Sequence, residues 1–173
     1  LREKKVRRSE DFKVGIMLEV PSAVFALDSL IKEVDFMSVG SNDLLQYTFA
    51  IDRGNENVNS YYQPLHPAFL RMLHEIGRAF AGKEGKELSI CGEMAGNPHA
   101  TPILIGAGIR DLSMAPRQIP SVRRVAGAFS VPECEKLLKS AMDMKNHESV
   151  KCLLNKAFSE KRIDTTYWDT GGA

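Results

Sequence analysis

Four short apolar segments, each followed by a segment with helical periodicity, constrain the fold of this chain more than any other feature. We predict strands at residues 14–20, 36–40, 111–115 and within 88–96, where a short strand runs into a glycine-rich turn. Nearly continuous apolarity in the first of them is typical of a strand that is covered on both faces of a parallel sheet. Helix-length connections between the strands favour right-handed parallel crossovers. The pattern therefore predicts an α/β fold amounting to half of a (β/α)₈ barrel.

The helices predicted between and after these strands follow from apolar stripes, capping residues and glycines. They cover residues 23–33, with Ser22 as the capping residue, then 44–50, 67–84, 99–106 and 119–129, with one or two more within 131–158. We divide the chain into residues 1–130 as the half-barrel, residues 131–160 as C-terminal helices that pack on the barrel or at a dimer interface, and residues 161–173 as a tail that is mobile or is held only by Tyr167 and Trp168.

The composition excludes several classes of partner. Among 173 residues, 23 Lys and Arg balance 22 Asp and Glu, and a net charge of +1 offers no electrostatic basis for binding nucleic acid or an anionic membrane. The three cysteines, Cys91, Cys134 and Cys152, lack the spacing of zinc sites and the density of a disulfide framework. With no apolar run near the roughly 20 residues of a membrane span, we expect a cytoplasmic protein.

Polar side chains follow the second predicted strand at its C-terminal end. Asn42 and Asp43 come directly after Gly40 and Ser41, and Arg53 follows after a further turn or so of chain. Ligands of parallel α/β proteins lie outside the carboxyl ends of the strands. A carboxylate there can hold a hard cation, and an arginine can grip a phosphate or carboxylate through two hydrogen bonds. The segment predicts an anionic, metal-bound ligand.

Two further residues are candidates for chemistry, each with a simpler alternative. Glu19 ends the first strand, so Glu19 and Asp43 could share one Mg²⁺; alternatively, Glu19 pairs with a Lys or Arg and Asp43 caps the next helix. Cys91 ends the third strand beside Gly92, where the backbone can approach a ligand; alternatively, it is an inert core thiol. The histidines show no ligand spacing and are interpreted as structural.

The chain also resembles a known family, enzyme I of the bacterial phosphotransferase system (phosphoenolpyruvate-protein phosphotransferase), including its nitrogen-related branch. The resemblance is close over residues 14–126. It is carried by four segments in the same order and at the same spacings: residues 15–22 (Gly-Ile-Met-Leu-Glu-Val-Pro-Ser), 38–47 (Ser-Val-Gly-Ser-Asn-Asp-Leu-Leu-Gln-Tyr), 50–55 (Ala-Ile-Asp-Arg-Gly-Asn) and 91–96 (Cys-Gly-Glu-Met-Ala-Gly). Pyruvate phosphate dikinase and phosphoenolpyruvate synthase share the barrel and similar Asn-Asp and Cys-Gly turns.

This resemblance implies a role for each matching residue. Glu19 and Asp43 match the Mg²⁺ ligands of the family, Asn42 and Arg53 match groups that contact phosphoenolpyruvate, and Cys91 matches the proton donor to the methylene carbon. The implied reaction transfers the phosphoryl group of phosphoenolpyruvate to a histidine and on to a histidine phosphocarrier protein (HPr-like), and it releases pyruvate.

The chain also departs from the family. The Thr-Ser-His-type motif of the phosphorylated histidine is missing, as are two arginines of earlier barrel strands, so the resemblance implies the C-terminal half of the barrel and an inactive isolated fragment. The alternatives are a barrel of the dikinase or synthase type, or a non-catalytic metabolite-binding or regulatory domain derived from it. Because we expect the open sheet face to expose Val, Ile, Leu and Met, and because the family's barrel domain is dimeric, we predict a homodimer.

Overall fold

A single four-stranded parallel sheet, with its strands in chain order, organises the computed structural model, which describes residues 9, 11–165 and 168. The strands are β1 (Gly15–Leu18), β2 (Phe36–Gly40), β3 (Glu87–Cys91) and β4 (Asp111–Leu112). In register, Gly15 pairs with Phe36, Gly40 with Cys91, and Ile90 with Leu112. The predicted α/β half-barrel is confirmed, although β1 and β4 are shorter than the apolar segments that predicted them.

Eight α-helices follow the strands within the part of the chain that the structure describes. They are α1 (Pro21–Phe25), α2 (Leu27–Glu33), α3 (Ser41–Phe49), α4 (Pro67–Phe80), α5 (Thr101–Gly106), α6 (Ile119–Ala126), α7 (Val131–Met142) and α8 (His147–Glu160). Short 3₁₀ turns lie at Asn59–Tyr61, Glu93–Gly96 and Pro116–Gln118. None of the helices among the described residues is long and apolar enough to cross a membrane.

The connection between β1 and β2 differs from the sequence prediction. The single helix predicted for residues 23–33 is two helices, because the backbone leaves the helical conformation at Ala26. Ser22 is not the capping residue: α1 begins one residue earlier at Pro21, and its N-cap, Val20, makes no side-chain capping bond. Proline is favoured in the first turn of a helix because it has no N–H to satisfy, and this moves the start of α1 toward the strand.

The core lies between the sheet and the helices. Alternate residues of the strands face the helices, and five of these positions are at most 8% exposed: Leu18, Met37, Val39, Leu88 and Ile90. Helix α4 contributes Phe69, Leu70, Leu73 and Ile76, all fully buried. Gly77 lets α4 approach the backbone after α5, since a Cβ at this position would lie 1.6 Å from the Ala107 carbonyl oxygen.

The other face of the sheet is open, and its composition differs from our expectation. Instead of Val, Ile and Leu, the open face carries mainly small or polar residues such as Ser38, Ser89 and Cys91, which are only partly buried. Met17 and Phe36 are its large apolar side chains, at 47% and 36% exposure. The prediction holds for methionine, at Met17, and was wrong for Val, Ile and Leu, because residues of the strands alternate between the two faces and the branched aliphatic residues point to the helices.

The C-terminal helices continue the same core. Helix α7 packs against α4, α5 and α8, and Phe158 of α8 is fully buried. Within the predicted tail, the Trp168 ring lies 5.4 Å from that of Phe158, as in the alternative in which Trp168 holds the tail, and Ile163 is buried as well. Residues 166, 167 and 169–173 of the tail lie outside the described residues, and the boundaries at 130 and 160 stay a prediction.

Candidate active site

Four of the five predicted site residues lie at the carboxyl edge of the sheet. Glu19 directly follows β1, Asn42 and Asp43 stand in the first turn of α3, and Cys91 is the last residue of β3. Because β1, β2 and β3 are adjacent and parallel, their C-terminal ends meet at one edge. Arg53 lies in the loop between α3 and α4, which begins at the end of α3 farther from the sheet.

Glu19 leans over the end of the neighbouring strand. Its Oε2 would lie 2.7 Å from a Cβ built on Gly40, so the glycine leaves the room that the carboxylate occupies. The described residues form three ion pairs, Lys13 with Glu87, Arg78 with Glu75 and Lys161 with Glu133, and Glu19 takes part in none of them. The alternative in which Glu19 is neutralised by a Lys or Arg therefore finds no support.

Asp43 is not a helix cap. The N-cap of α3 is Gly40, without a side-chain capping bond, and Asp43 follows inside the first turn. The sequence predicted a helix from residue 44 with Asn42 and Asp43 in a preceding turn; the helix instead starts at Ser41 and includes both residues. Unpaired N–H groups and the helix dipole favour anions at this end, which suits a negatively charged ligand.

Asn42 connects three parts of the chain through one atom. Its Oδ1 accepts a hydrogen bond from the backbone N–H of Glu93 at 3.1 Å and a second from the hydroxyl of Tyr62 at 3.3 Å. Glu93 belongs to the turn after β3, and Tyr62 belongs to the loop before α4. The start of α3, the turn beside Cys91 and the loop that carries Arg53 are thus joined at the Asn42 amide.

The turn after β3 is held by a second contact from α3. The Ser41 hydroxyl donates a hydrogen bond to the Cys91 carbonyl oxygen at 2.6 Å. Gly92 has φ of 88°, and a Cβ on it would lie 2.5 Å from Ser41 Oγ and 2.9 Å from Asn42 Oδ1. A glycine is required here both by the backbone conformation and by the close approach of α3.

Cys91 is not a core thiol. It is partly buried on the open face of the sheet, opposite to the fully buried Ile90, and its Sγ lies 3.6 Å from the Val39 carbonyl oxygen as a weak donor. Cys134 provides the contrast, because it is fully buried and burial raises the pKa of its thiol to about 11. The position of Cys91 is compatible with proton donation to a ligand, whereas that of Cys134 is not.

The pKa of the Tyr62 hydroxyl depends on the charged groups at this edge of the sheet. The pKa of its half-buried hydroxyl is raised to about 12, mainly by burial; the carboxylates of Glu93 and Asp43 also raise this pKa, and the Arg53 guanidinium lowers it. These charges are close enough to act on one hydroxyl, so Arg53 and Asp43 belong to the same neighbourhood. The hydroxyl remains protonated at neutral pH and can serve as a hydrogen-bond donor.

Arg53 is exposed in the loop after α3, and hydrogen bonds fix the backbone of this loop on both sides of it. Ala50 closes α3 in the left-handed conformation, with φ of 53°, and the Arg53 N–H donates to Gln46 Oε1 at 3.3 Å. Asp52 Oδ1 accepts from the Gly54 N–H at 2.8 Å, which closes the next turn. The backbone around Arg53 is therefore anchored while its guanidinium faces solvent.

Two carboxylates at this edge, those of Glu19 and Asp43, could contribute to a magnesium site that substrate and water complete. Among the described residues, no group of three or more His, Cys, Asp and Glu side chains could hold a metal by itself. Mg²⁺ is commonly bound through only one or two carboxylates, with the remaining positions taken by phosphate oxygens and water. Glu19 and Asp43 supply two carboxylates at the adjacent ends of β1 and β2, so their number matches such a site.

A small cavity of about 70 Å³ marks the centre of these contacts. Asn42, Tyr62, Glu93 and Asn97 are among the residues that line it. Two larger depressions, of about 360 and 580 Å³, lie elsewhere on the described surface, and none of the five predicted site residues lines either of them. The convergence of polar groups locates the site at the small cavity, because binding and catalysis depend on precisely placed polar groups.

Sequence reasoning missed Ser41 and Tyr62. Apart from its position next to Asn42, nothing in the sequence indicated a role for Ser41. Tyr62 lies in a loop whose length alone suggested function, but the sequence offered no partner for its hydroxyl. Two histidines support the structural interpretation: His66 accepts from the Ala68 N–H at the start of α4, and the His99 ring packs edge-on against Phe158 at 5.4 Å.

Comparison with known proteins shows the family of this chain. Residues 1–130 match the family model of the PEP-utilising enzymes, PEP-binding domain, where PEP is phosphoenolpyruvate. The phosphoenolpyruvate-protein phosphotransferase of Mycoplasma genitalium is 40% identical over 166 residues, which are 93% of this chain and 28% of the relative. That of Priestia megaterium is 44% identical over 150 residues, 87% of this chain and 26% of the relative.

A third relative, multiphosphoryl transfer protein 1 of Escherichia coli, is 37% identical over 163 residues, 94% of this chain and 20% of the relative. The chain thus spans between a fifth and just over a quarter of the length of these relatives. The resemblance inferred from the four sequence segments is confirmed. This chain belongs to the family of PEP-utilising enzymes, and residues 1–130 correspond to its PEP-binding domain.

Proposed function

We propose that this chain is part of a phosphoenolpyruvate-protein phosphotransferase that passes the phosphoryl group of PEP to a histidine of another domain and then to an HPr-like phosphocarrier protein. The observation that carries the proposal is the joining of Asn42 to the Cys91 turn, at a strand edge where Glu19 and Asp43 also lie. The names of the relatives at 40–44% identity support the same activity.

Asn42 and Arg53 bind the substrate in this proposal. Asn42 stands in the first turn of α3, where the helix dipole favours the anionic groups of PEP. Arg53 provides a fork of N–H donors that suits a phosphate or a carboxylate, on a loop whose backbone is fixed by hydrogen bonds. Both residues act on charge that PEP already carries, so their main effect is on substrate binding.

Glu19 and Asp43 would hold the magnesium ion together with substrate oxygens. When bound, Mg²⁺ supplies positive charge that stabilises the enolate as the phosphoryl group leaves. The contribution of this chain is to keep two carboxylates at adjacent strand ends, with Gly40 leaving space for the Glu19 side chain. Replacing Asp43 by asparagine removes one of these charges and is expected to weaken binding of Mg²⁺.

Cys91 is the proton donor. Cleavage of the bond between phosphorus and the enol oxygen transfers the phosphoryl group to the histidine and leaves the enolate of pyruvate. The Sγ proton of Cys91 then adds to the methylene carbon, which becomes the methyl group of pyruvate, and solvent reprotonates the thiolate. The Ser41 bond to the Cys91 carbonyl fixes the backbone from which this thiol projects.

The test replaces Cys91 by alanine in the complete enzyme that contains this chain. PEP binding, measured by calorimetry, should be retained, and pyruvate release should fall on the order of 10²- to 10⁴-fold because the positioned proton donor is lost. Cys152→Ala is the matched control, since this cysteine is exposed on α8. Unchanged turnover in Cys91→Ala would remove Cys91 from the mechanism.

By itself, this chain is expected to be inactive.

A further inference from the structure

We propose that Tyr62 is a positioning residue that fixes the orientation of the Asn42 amide, so that Asn42 presents its N–H groups to the ligand. The inference rests on the proposed function, because the ligand it concerns is PEP. Its structural basis is the pair of hydrogen bonds that converge on Asn42 Oδ1 from Tyr62 and Glu93.

The orientation of the amide follows from the chemistry of its neighbours. The Glu93 backbone N–H can only donate a hydrogen bond, so the atom facing it at 3.1 Å must be the amide oxygen. Because a carbonyl oxygen has two lone pairs, the bond from the Tyr62 hydroxyl at 3.3 Å takes the second one. The oxygen is then saturated, and Nδ2 is left as a donor group, which suits an anionic ligand.

Tyr62 is suited to hold this arrangement. Its hydroxyl is protonated at neutral pH, so it donates to Asn42, and the half-buried Tyr62 lines the small cavity together with Asn42, Pro64 and Glu93. Without the hydroxyl, the amide keeps the single bond to Glu93 and gains freedom to rotate. The two-bond arrangement therefore reduces the entropy that Asn42 loses when the ligand binds.

The same contact connects two groups of the site that are distant in sequence. Tyr62 lies on the loop that also carries Arg53, and it meets Asn42 twenty residues earlier in the chain. Asn42 in turn meets the backbone of Glu93, two residues after Cys91. Tyr62 thus ties the position of the Arg53 loop to the amide that binds the substrate, without touching the reacting atoms itself.

The experiment uses the complete enzyme and the substitution Tyr62→Phe, which keeps the ring and removes only the hydroxyl. We expect KM for PEP to rise about 2- to 10-fold, the effect of one hydrogen bond, while kcat changes less than twofold. Tyr61→Phe is the matched control, because the neighbouring tyrosine is 64% exposed and should leave both constants unchanged. Equal constants in Tyr62→Phe and Tyr61→Phe would overturn the proposal, as would a change in kcat alone.

A double-mutant cycle separates positioning from general stabilisation. If Tyr62 acts through Asn42, then Tyr62→Phe should have no further effect on KM in an Asn42→Ala background. Additive effects would show that Tyr62 does not act through Asn42. Failure of the proposed function is distinguishable, because the unsubstituted enzyme would then consume no PEP, whereas failure of this inference leaves its turnover intact and Tyr62→Phe without effect.

Discussion

Replacing Gly92 by alanine tests the close approach between α3 and the turn after β3. The new Cβ would lie 2.5 Å from Ser41 Oγ and 2.9 Å from Asn42 Oδ1, so at least one of these side chains must move. Both hold the turn through hydrogen bonds, one to the Cys91 carbonyl and one from the Glu93 N–H. The substitution is therefore expected to destabilise the fold and to disturb the site at once.

The magnitude has two parts. With φ of 88° and ψ of −172°, Gly92 occupies a region that is nearly exclusive to glycine, and an alanine there costs about 1–3 kcal/mol. Overlap with Ser41 and Asn42 adds about 1–3 kcal/mol, as for other overpacked positions. The expected loss of about 2–6 kcal/mol is a large part of the roughly 5–15 kcal/mol that stabilises a typical domain.

Gly82→Ala is the matched control, because Gly82 also has a positive φ, 73°, but a Cβ there meets nothing within 4 Å. Alanine also stiffens the unfolded chain in both variants, and this contribution of about 0.4–1 kcal/mol cancels in the comparison. Urea unfolding followed by circular dichroism gives the free energy of unfolding of each variant. If Gly92→Ala is no less stable than Gly82→Ala, the contact between α3 and the turn does not have the inferred geometry.

Two further predictions concern acid stability and assembly. The Lys161 ammonium and hydrogen bonds from Ser130 lower the pKa of Glu133 from 4.5 to about 2, so Glu133 contributes stability above pH 4.5 that is lost as the pH falls toward 2. Melting temperatures should therefore differ most between parent and Glu133→Gln above pH 4.5 and converge toward pH 2; a constant difference would contradict the assigned cause. Because the outer edges of β1 and β4 are unpaired in the described chain and Met17 is exposed on the open face, sedimentation should find a dimer or a larger assembly, and a compact monomer would contradict this.

The sequence was most informative where a local pattern has only one structural solution. The second strand was predicted at residues 36–40 and found there, because apolar residues of strand length end at a glycine and two polar residues. The parallel arrangement followed from the helix-length connections, and it placed Glu19, Asn42, Asp43 and Cys91 at the same edge. Residue type together with strand order was sufficient for this part of the site.

Prediction failed where the outcome depends on packing between elements. The break at Ala26 and the start of α3 at Ser41 have no clear local signal, since Ala and Ser occur readily in helices and at their ends. The open face was wrongly expected to be rich in Val, Ile and Leu, because a short apolar run does not reveal which of its residues point to the helices. The packing of the helices on one face of the sheet decided which residues of each strand are buried.

The sequence alone determined the residue types at the strand ends and the order of the strands. The residue types can be read directly from the chain, and the strand order follows from the general rule that helix-length connections join parallel strands. Only the tertiary structure decided that Tyr62 and Glu93, 20 and 51 residues beyond Asn42, meet at its amide oxygen. Such contacts depend on the path of a loop and on the approach of two elements within a few tenths of an ångström. No periodicity encodes them, because hydrogen bonds between distant residues form only after the core has fixed the ends of the loop.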